Sequence, residues 1–452
     1  MHLRKSAKRI MPQENKITSW IGRQNQIVST IILSITAFLT YTCMYGLRKP
    51  FTVGEFENIA FWGMDFKALL IISQVIGYAL SKFIGIKVIS EMKRNSRALS
   101  IIILTAVSEC SLVLFGIVPP PYSLIFLFFN GLPLGMIWGL VFAYLEGRRT
   151  TEILGAVLSI SFIVASGFVK SIGLILISTF HLSDFQMPWV TGLVFYIPLI
   201  LFVYLLDKTP DPTPEDELHR TKRVPMDNNQ RKRVFIEFSA GLILLTLAYI
   251  VLTIYRDLRD NFAVDIWKSI GYSGESLVLT WSEVPIALIV FAVMVSLMLI
   301  KNNKKAFILN NFIILAGFLM IGLSTVALNA GLINPLAWMI LLGLGTYLGY
   351  LPFNSLLFDR LIAAFGSAAN AGFFIYIADS FGYLGSVAAL LFKNFNEKEV
   401  SWFNFLVTSS LGMAVTGSVL IILSLFYFNI KFNVATKNPM SYQDLSIDTK
   451  II

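Results

Sequence analysis

Apolar runs of about 20 residues, the length that crosses a hydrocarbon core, follow one another twelve times along the chain. Their cores lie at 28–47, 68–89, 98–118, 123–145, 152–177, 189–206, 236–255, 276–299, 306–327, 336–358, 371–392 and 403–430. One break between them is unlike the others. Residues 207–235, DKTPDPTPEDELHRTKRVPMDNNQRKRVF, mix prolines with both charge signs and show no apolar periodicity, the pattern of a solvated linker. The pattern therefore predicts a basic arm at 1–26, a six-helix bundle at 27–207, a linker at 208–235, a second six-helix bundle at 236–430 and a tail at 431–452.

Composition fits lipid as the solvent: 56% of residues are hydrophobic and 14% charged. The arm carries Arg4, Lys5, Lys8, Arg9, Lys16 and Arg23, whereas the connections after spans 3, 5 and 9 carry no Lys or Arg. That bias predicts both termini in the cytoplasm of a bacterial inner (plasma) membrane. It also accounts for the net charge of +9 without a nucleic-acid partner. Trp62, Trp189, Trp267, Trp338 and Trp402 fall at the outer ends of spans, as an aromatic belt would. Cys43 and Cys110 sit within apolar runs and read as packing residues. The three histidines, His2, His181 and His219, fall in the arm, an outer loop and the linker, so the sequence offers no metal cluster, no nucleophile with a partner and no cofactor motif. An enzyme is not expected.

The second half repeats the first. LRKPF at 47–51 is answered by LRDNF at 258–262, ISQV at 72–75 by WSEV at 281–284, GMIWG at 135–139 by GTYLG at 345–349, and KSIG at 170–173 by DSFG at 379–382, each displaced by 209 to 211 residues. Four weak matches in order at one offset argue for two homologous halves. Within that frame the charges inside apolar runs are the candidate functional residues, because an intramembrane charge is expensive. The first is Arg48 in YGLRKPF. If its helix stopped at Leu47, Arg48 would snorkel at the surface. A helix continuing through Phe61 would be about 50 Å long and leave Arg48 well below its outer end, and this is the expectation. Lys170 and Asp379 occupy equivalent positions with opposite charge and are expected either to pair across the halves or to find separate local partners. Glu283 is read as a proton carrier or a fixed helix contact, and Glu109 as a packing residue. Glu146 and Arg148 in EGRR, with Asp359 and Arg360, are candidates for an inner latch between the halves. Trp138 and Tyr347 are candidates to shape a cavity.

YGLRKPF resembles the first-helix motif of the organophosphate:phosphate antiporters of the major facilitator superfamily, with Tyr45, Arg48, Lys49 and Phe51 at the matching places. SKF at 81–83 and GMIW at 135–138 extend the resemblance over the N-terminal half, and the chain is also similar to an uncharacterised bacterial branch of the superfamily. The resemblance implies an all-α fold of twelve transmembrane helices in two pseudo-symmetric bundles, with helices 1, 4, 7 and 10 lining a central cavity. Arg48 and Arg259 would then face each other and bind an anion, with Arg256 as the alternative to Arg259. Two departures bear on the substrate: the loop after span 2 lacks the superfamily's Asp, and span 5 lacks the antiporters' histidine. The sequence thus predicts a secondary transporter of a small organic anion, with phosphate or a proton as counter-substrate, acting as a monomer in the lipid bilayer. The alternatives are a proton-coupled symporter of a neutral or carboxylated nutrient, and a transport-inactive receptor or scaffold.

Overall fold

A computed structural model describes residues 16–213, 215–216, 228–365, 371–396 and 400–437. Part of the predicted linker (214 and 217–227), much of the arm and most of the tail lie outside the described residues. A short helix α1 (Lys16–Gly22) precedes the membrane region. The N-terminal half then contains α2 (Gln26–Arg48), α3 (Phe66–Glu91), α4 (Arg94–Ile117), α5 (Leu124–Leu134) with α6 (Ile137–Leu145), α7 (Thr151–Phe180) and α8 (Met187–Asp207). The C-terminal half contains α9 (Asn228–Asn261), α10 (Ala263–Ser269), α11 (Val278–Trp281) with α12 (Glu283–Met298), α13 (Asn303–Asn329), α14 (Pro335–Ser355) with α15 (Leu357–Phe365), α16 (Ala371–Asn396) and α17 (Trp402–Lys437). Twelve spans among the described residues are long and apolar enough to cross a membrane. Each half of the chain supplies six, and the predicted multi-pass architecture is the observed one.

Local chemistry sets the boundaries. Asn25 opens α2 by accepting a hydrogen bond from the Val28 N–H at 2.9 Å, and Asn302 and Asn334 cap α13 and α14 in the same way. The fourth span breaks between α5 and α6, after Pro133, at Gly135, where an added Cβ would lie 2.7 Å from the Tyr78 carbonyl oxygen of α3. The last helix runs to Lys437, past the predicted start of the tail at 431.

Helix α2 does not continue through Phe61. It ends at Arg48, and Pro50, which has no N–H to give, opens a 3-10 turn over Pro50–Val53. Arg48 is nevertheless buried, its guanidinium turned inward over the Tyr78 ring, and the chain after it folds into a lid on the side opposite the linker, here called the far side. Asp184 accepts from the Glu55 and Phe56 N–H groups at 3.0 and 2.7 Å. Phe56 packs edge-on against Phe66, Phe115 and Phe185. A small antiparallel hairpin, β1 (Ala60–Phe61) with β2 (Met64–Asp65), closes the lid. The aromatic belt is only partly as expected: Trp62 is 71% exposed, but Trp267 and Trp338 are buried, and the Trp338 indole donates to the Thr325 hydroxyl at 3.0 Å.

Candidate functional site

Two adjoining groups of buried charge lie between the halves. The first lines a central cavity. Its residues Tyr41, Tyr45, Arg48, Tyr78, Lys82 and Trp138 come from the N-terminal half, and Arg256, Tyr350, Asn354, Tyr376, Asp379 and Tyr383 from the C-terminal half. Arg48 is carried there at the last position of α2, whose end is held by a buried polar thread. Asn130 donates to the Leu47 carbonyl at 3.0 Å, Gln74 donates to the Arg48 carbonyl at 2.8 Å, and Gln74 and Asn130 bond each other at 2.6 Å. The carbonyls that a helix C-terminus leaves unsatisfied are thereby paired inside the protein.

The Arg48 guanidinium stacks 3.8 Å from the centre of the Tyr78 ring, and Arg256 stacks 4.2 Å from that of Tyr350. Their counter-charges differ. Arg256 bonds Asp257 at 2.7 Å, and Lys82 meets Asp379 across the halves at 3.1 Å. Among the described residues Arg48 has no carboxylate within ion-pair distance, and its Nε has no hydrogen-bond partner. Arg48, Lys82 and Arg256 against Asp257 and Asp379 leave one positive charge over. Only about 30 Å³ is open to the centre of a water molecule, so the side chains have closed on one another.

The second group lies toward the far side. Asp260 of α9 is held by two lysines of the other half: Lys49 pairs with Oδ2, and Lys170 pairs with Oδ1 at 2.6 Å. Ser166 also donates to Oδ1, and Lys49 donates to Asn261 at 2.7 Å. Arg259 pairs with Glu283 at 2.7 Å and donates to the Met339 carbonyl at 3.2 Å. Helices α7 and α11 touch beside this cluster: a Cβ at Gly167 would fall 2.1 Å from the Leu279 carbonyl oxygen. Nearer the water, Lys67 pairs with Asp265 at 2.7 Å and Lys268 with Glu55 at 2.9 Å. The bond to Lys268 holds the Glu55 carboxyl below its usual range, and the same bond raises Lys268.

These positions revise several expectations. Arg48, Tyr45 and Trp138 line the central cavity. Arg259 does not face Arg48: it lines the second cavity, and Arg256, one helical turn earlier, takes the central place. Lys49 points into the charge cluster. Tyr347 is buried on α14 but lines neither cavity. Lys170 and Asp379 do not pair with each other. Each instead pairs across the halves with a different residue, Asp260 and Lys82, neither of which the sequence reading had set against it. Glu283 is Arg259's ion-pair partner. Glu109 is buried against Gly192 of α8 with neither oxygen hydrogen-bonded.

On the linker side, Arg360 reaches across the halves, but to Glu152 at 3.5 Å. Arg148 turns to the Tyr144 carbonyl at 3.3 Å and to the Pro210 carbonyl, tying down the start of the linker rather than the other half. Glu146 and Asp359 lie close by, at the end of α6 and in the first turn of α15.

Comparison with known proteins yields three findings. A family described as "Family of unknown function (DUF5690)" matches residues 50–431. No curated protein matches by sequence. Among solved structures, the chain is similar to a crystal structure of a D-xylose–proton symporter, with a TM-score of 0.60 and 14% identity over 88% of this chain and 97% of that one. It is also similar to a major facilitator superfamily proton:xylose symporter, XylE, bound to 6-bromo-6-deoxy-D-glucose, with a TM-score of 0.55 and 14% identity over 89% and 96% of the two chains. The fold is that of the major facilitator superfamily.

Proposed function

Because this chain belongs to the family of unknown function DUF5690 and carries the major facilitator fold, we propose that it is a secondary transporter of a small organic anion. Alternating access comes from the two halves, residues 27–207 and 236–430, rocking about the central cavity. In this reading both termini and the linker are in the cytoplasm of a bacterial inner membrane, the far side is the outer side, and the protein works as a monomer. The observation that carries it is Arg48, buried at the cavity wall and, among the described residues, without a carboxylate in ion-pair distance. A guanidinium forks onto two oxygens of a carboxylate or phosphate. An anion bound there supplies the charge that the cavity's own acids leave uncompensated. Arg256 and Lys82 complete the cationic wall, and the tyrosines and Trp138 present flat faces to the organic part of the substrate.

The structure has its far side shut by the Asp260 cluster and the outer ion pairs, and a transport cycle must break them. The test is exchange in proteoliposomes preloaded with inorganic phosphate or an organic phosphate. Replacing Arg48 by Lys keeps the charge and loses the fork, and apparent affinity should fall about 10- to 100-fold, the equivalent of one charge-assisted hydrogen bond. Exchange that is unchanged in Arg48→Lys counts against the reading.

Likeness to a proton symporter favours one second reading, in which a proton rather than phosphate is the coupled species. Asp379 is then its carrier, because it lines the cavity and its bond to Lys82 must break when the halves part. Uptake driven by an imposed pH gradient, and lost in Asp379→Asn, would decide for it.

A further inference from the structure

The Asp260 cluster has a composition that a simple latch does not require. Two ammonium groups converge on one carboxylate, one to each oxygen. Both lysines belong to the N-terminal half, Lys49 just past the end of α2 and Lys170 on α7, and the Ser166 hydroxyl that joins them is one turn from Lys170. Everything they bind belongs to the C-terminal half: the Asp260 carboxylate, the Asp260 carbonyl that Lys170 also reaches, and the Asn261 side chain. Glu283 is engaged by Arg259. Asp260 is therefore the counter-charge for two cations at once.

We propose that Lys49, Lys170 and Ser166 form an oxyanion-binding site on the N-terminal half, and that Asp260 occupies it as a built-in ligand while the far side is closed. This rests on the alternating-access reading above, since parting the halves is what removes Asp260. When it leaves, the carboxylate, the carbonyl and the amide depart together. Two ammoniums and a hydroxyl remain, already arranged around the two oxygens of a carboxyl group. A carboxylate or phosphate arriving from the far side meets the same donors that held Asp260, and a doubly charged phosphate balances both lysines where Asp260 balances one. The ligand class is an oxyanion rather than a halide, because the donors converge on two separate oxygens. Neither lysine lines the central cavity, so this site stands before it, on the route from the far side. Its occupant competes with Asp260 and so favours the open gate.

Chemical rescue tests the site directly. Purified full-length Asp260→Ala is melted with increasing sodium acetate or sodium phosphate, against sodium chloride at equal ionic strength. The control is Asp260→Ala combined with Lys170→Met, which keeps Arg48 and the central cavity. The expected result is a saturable rise of a few degrees with acetate and phosphate in the single variant, beyond whatever the double variant shows. Equal responses in the two, or no saturable rise, overturn the proposal. Should Asp260→Ala fail to fold, the native gate serves instead. Ser276, whose carbonyl accepts from Ser171 across the halves at 2.6 Å, is made cysteine in a Cys43→Ser, Cys110→Ser background and labelled from the far side. Labelling should be faster in phosphate than in chloride, with the difference lost in Lys170→Met; no difference with Lys170 present overturns the proposal. Rescue in Asp260→Ala without any change in labelling under any anion would keep the oxyanion site and reject alternating access. Labelling that follows a substrate while rescue fails rejects the oxyanion site alone.

Discussion

Arg48 and Arg256 show how little separates a free cation from a spent one. Both stack on a tyrosine, but Arg256 is bonded to its sequence neighbour Asp257, and Arg48 has no acid within ion-pair distance among the described residues. Substituting Gln for Arg48 should therefore abolish substrate binding, while Asp257→Asn, which frees a second guanidinium, should tighten binding of anions; a thermal-shift titration of both variants checks the pair. At the far-side surface, Glu55 and Lys268 give a pH dependence of known sign. Glu55 is held low, so its contribution is present above the ordinary carboxylate value of about 4.3 and is lost as pH falls through its lowered value. Lys268 is held high, so its contribution is present below about 10.4 and is lost as pH rises through its raised value. The latch is intact between these limits. Acidification should speed labelling of a far-side cysteine, and Glu55→Gln should remove that acid response. Both side chains are about half exposed, so salt will weaken the effect.

How far these residues were legible in the sequence follows from what made each one stand out. Arg48 and Trp138 stand out because a charge or large aromatic inside an apolar run is conspicuous, and Tyr45 through the resemblance carried by YGLRKPF. Arg259 was misassigned because the repeat aligned LRD with LRK, whereas the residue that reaches the cavity is set by helical phase, and Arg256 is one turn away. Lys82 was visible in SKF and Asp379 in DSFG, but their pairing was not, since pairing across the halves depends on packing that no spacing within one span encodes.

The end of α2 depends on neighbours rather than on its own propensity. Asn130 serves the Leu47 carbonyl, the Ser108 carbonyl and the Ser108 hydroxyl, at 3.0, 3.2 and 2.6 Å. Replacing it with Ala strands buried acceptors at about 1–3 kcal/mol each. Asn130→Ala should lower the melting temperature and, by loosening the end of the helix, weaken anion binding at Arg48 as well. A variant that melts lower but binds unchanged would limit Asn130 to a structural role. The sequence could not reveal this thread, and it also mistook the length of α2: the apolar residues from Phe51 to Phe61 resemble more helix but fold into a lid, because Pro50 ends the hydrogen-bond ladder and Asp184 supplies acceptors from another loop. Helices α7 and α11 meet at Gly167, where there is no room for a Cβ against the Leu279 carbonyl. Gly167→Val should prevent far-side closure, giving constant far-side labelling and loss of exchange, with the fold of each half kept.

Across the molecule, ion pairs join the halves at both ends among the described residues. The far side carries the Asp260 cluster together with Lys67–Asp265 and Glu55–Lys268, while the linker side carries Arg360–Glu152 at 3.5 Å. Asp260→Asn should therefore shift the resting population toward the far-side-open state, whereas Arg360→Gln should change it little; paired cysteine labelling from the two sides compares them. The twelve spans, six in each half of the chain, could be read from the sequence, because hydropathy acts along the chain.

The sequence repeat gives the contact between Lys49 and Asp260 a further meaning. In the alignment of LRKPF with LRDNF the two are the same position in each half, and in the structure they touch. Were the halves identical copies, that position would hold two lysines or two aspartates, and like charges buried together repel. A half expressed alone as a homodimer should therefore be unable to close by this lock.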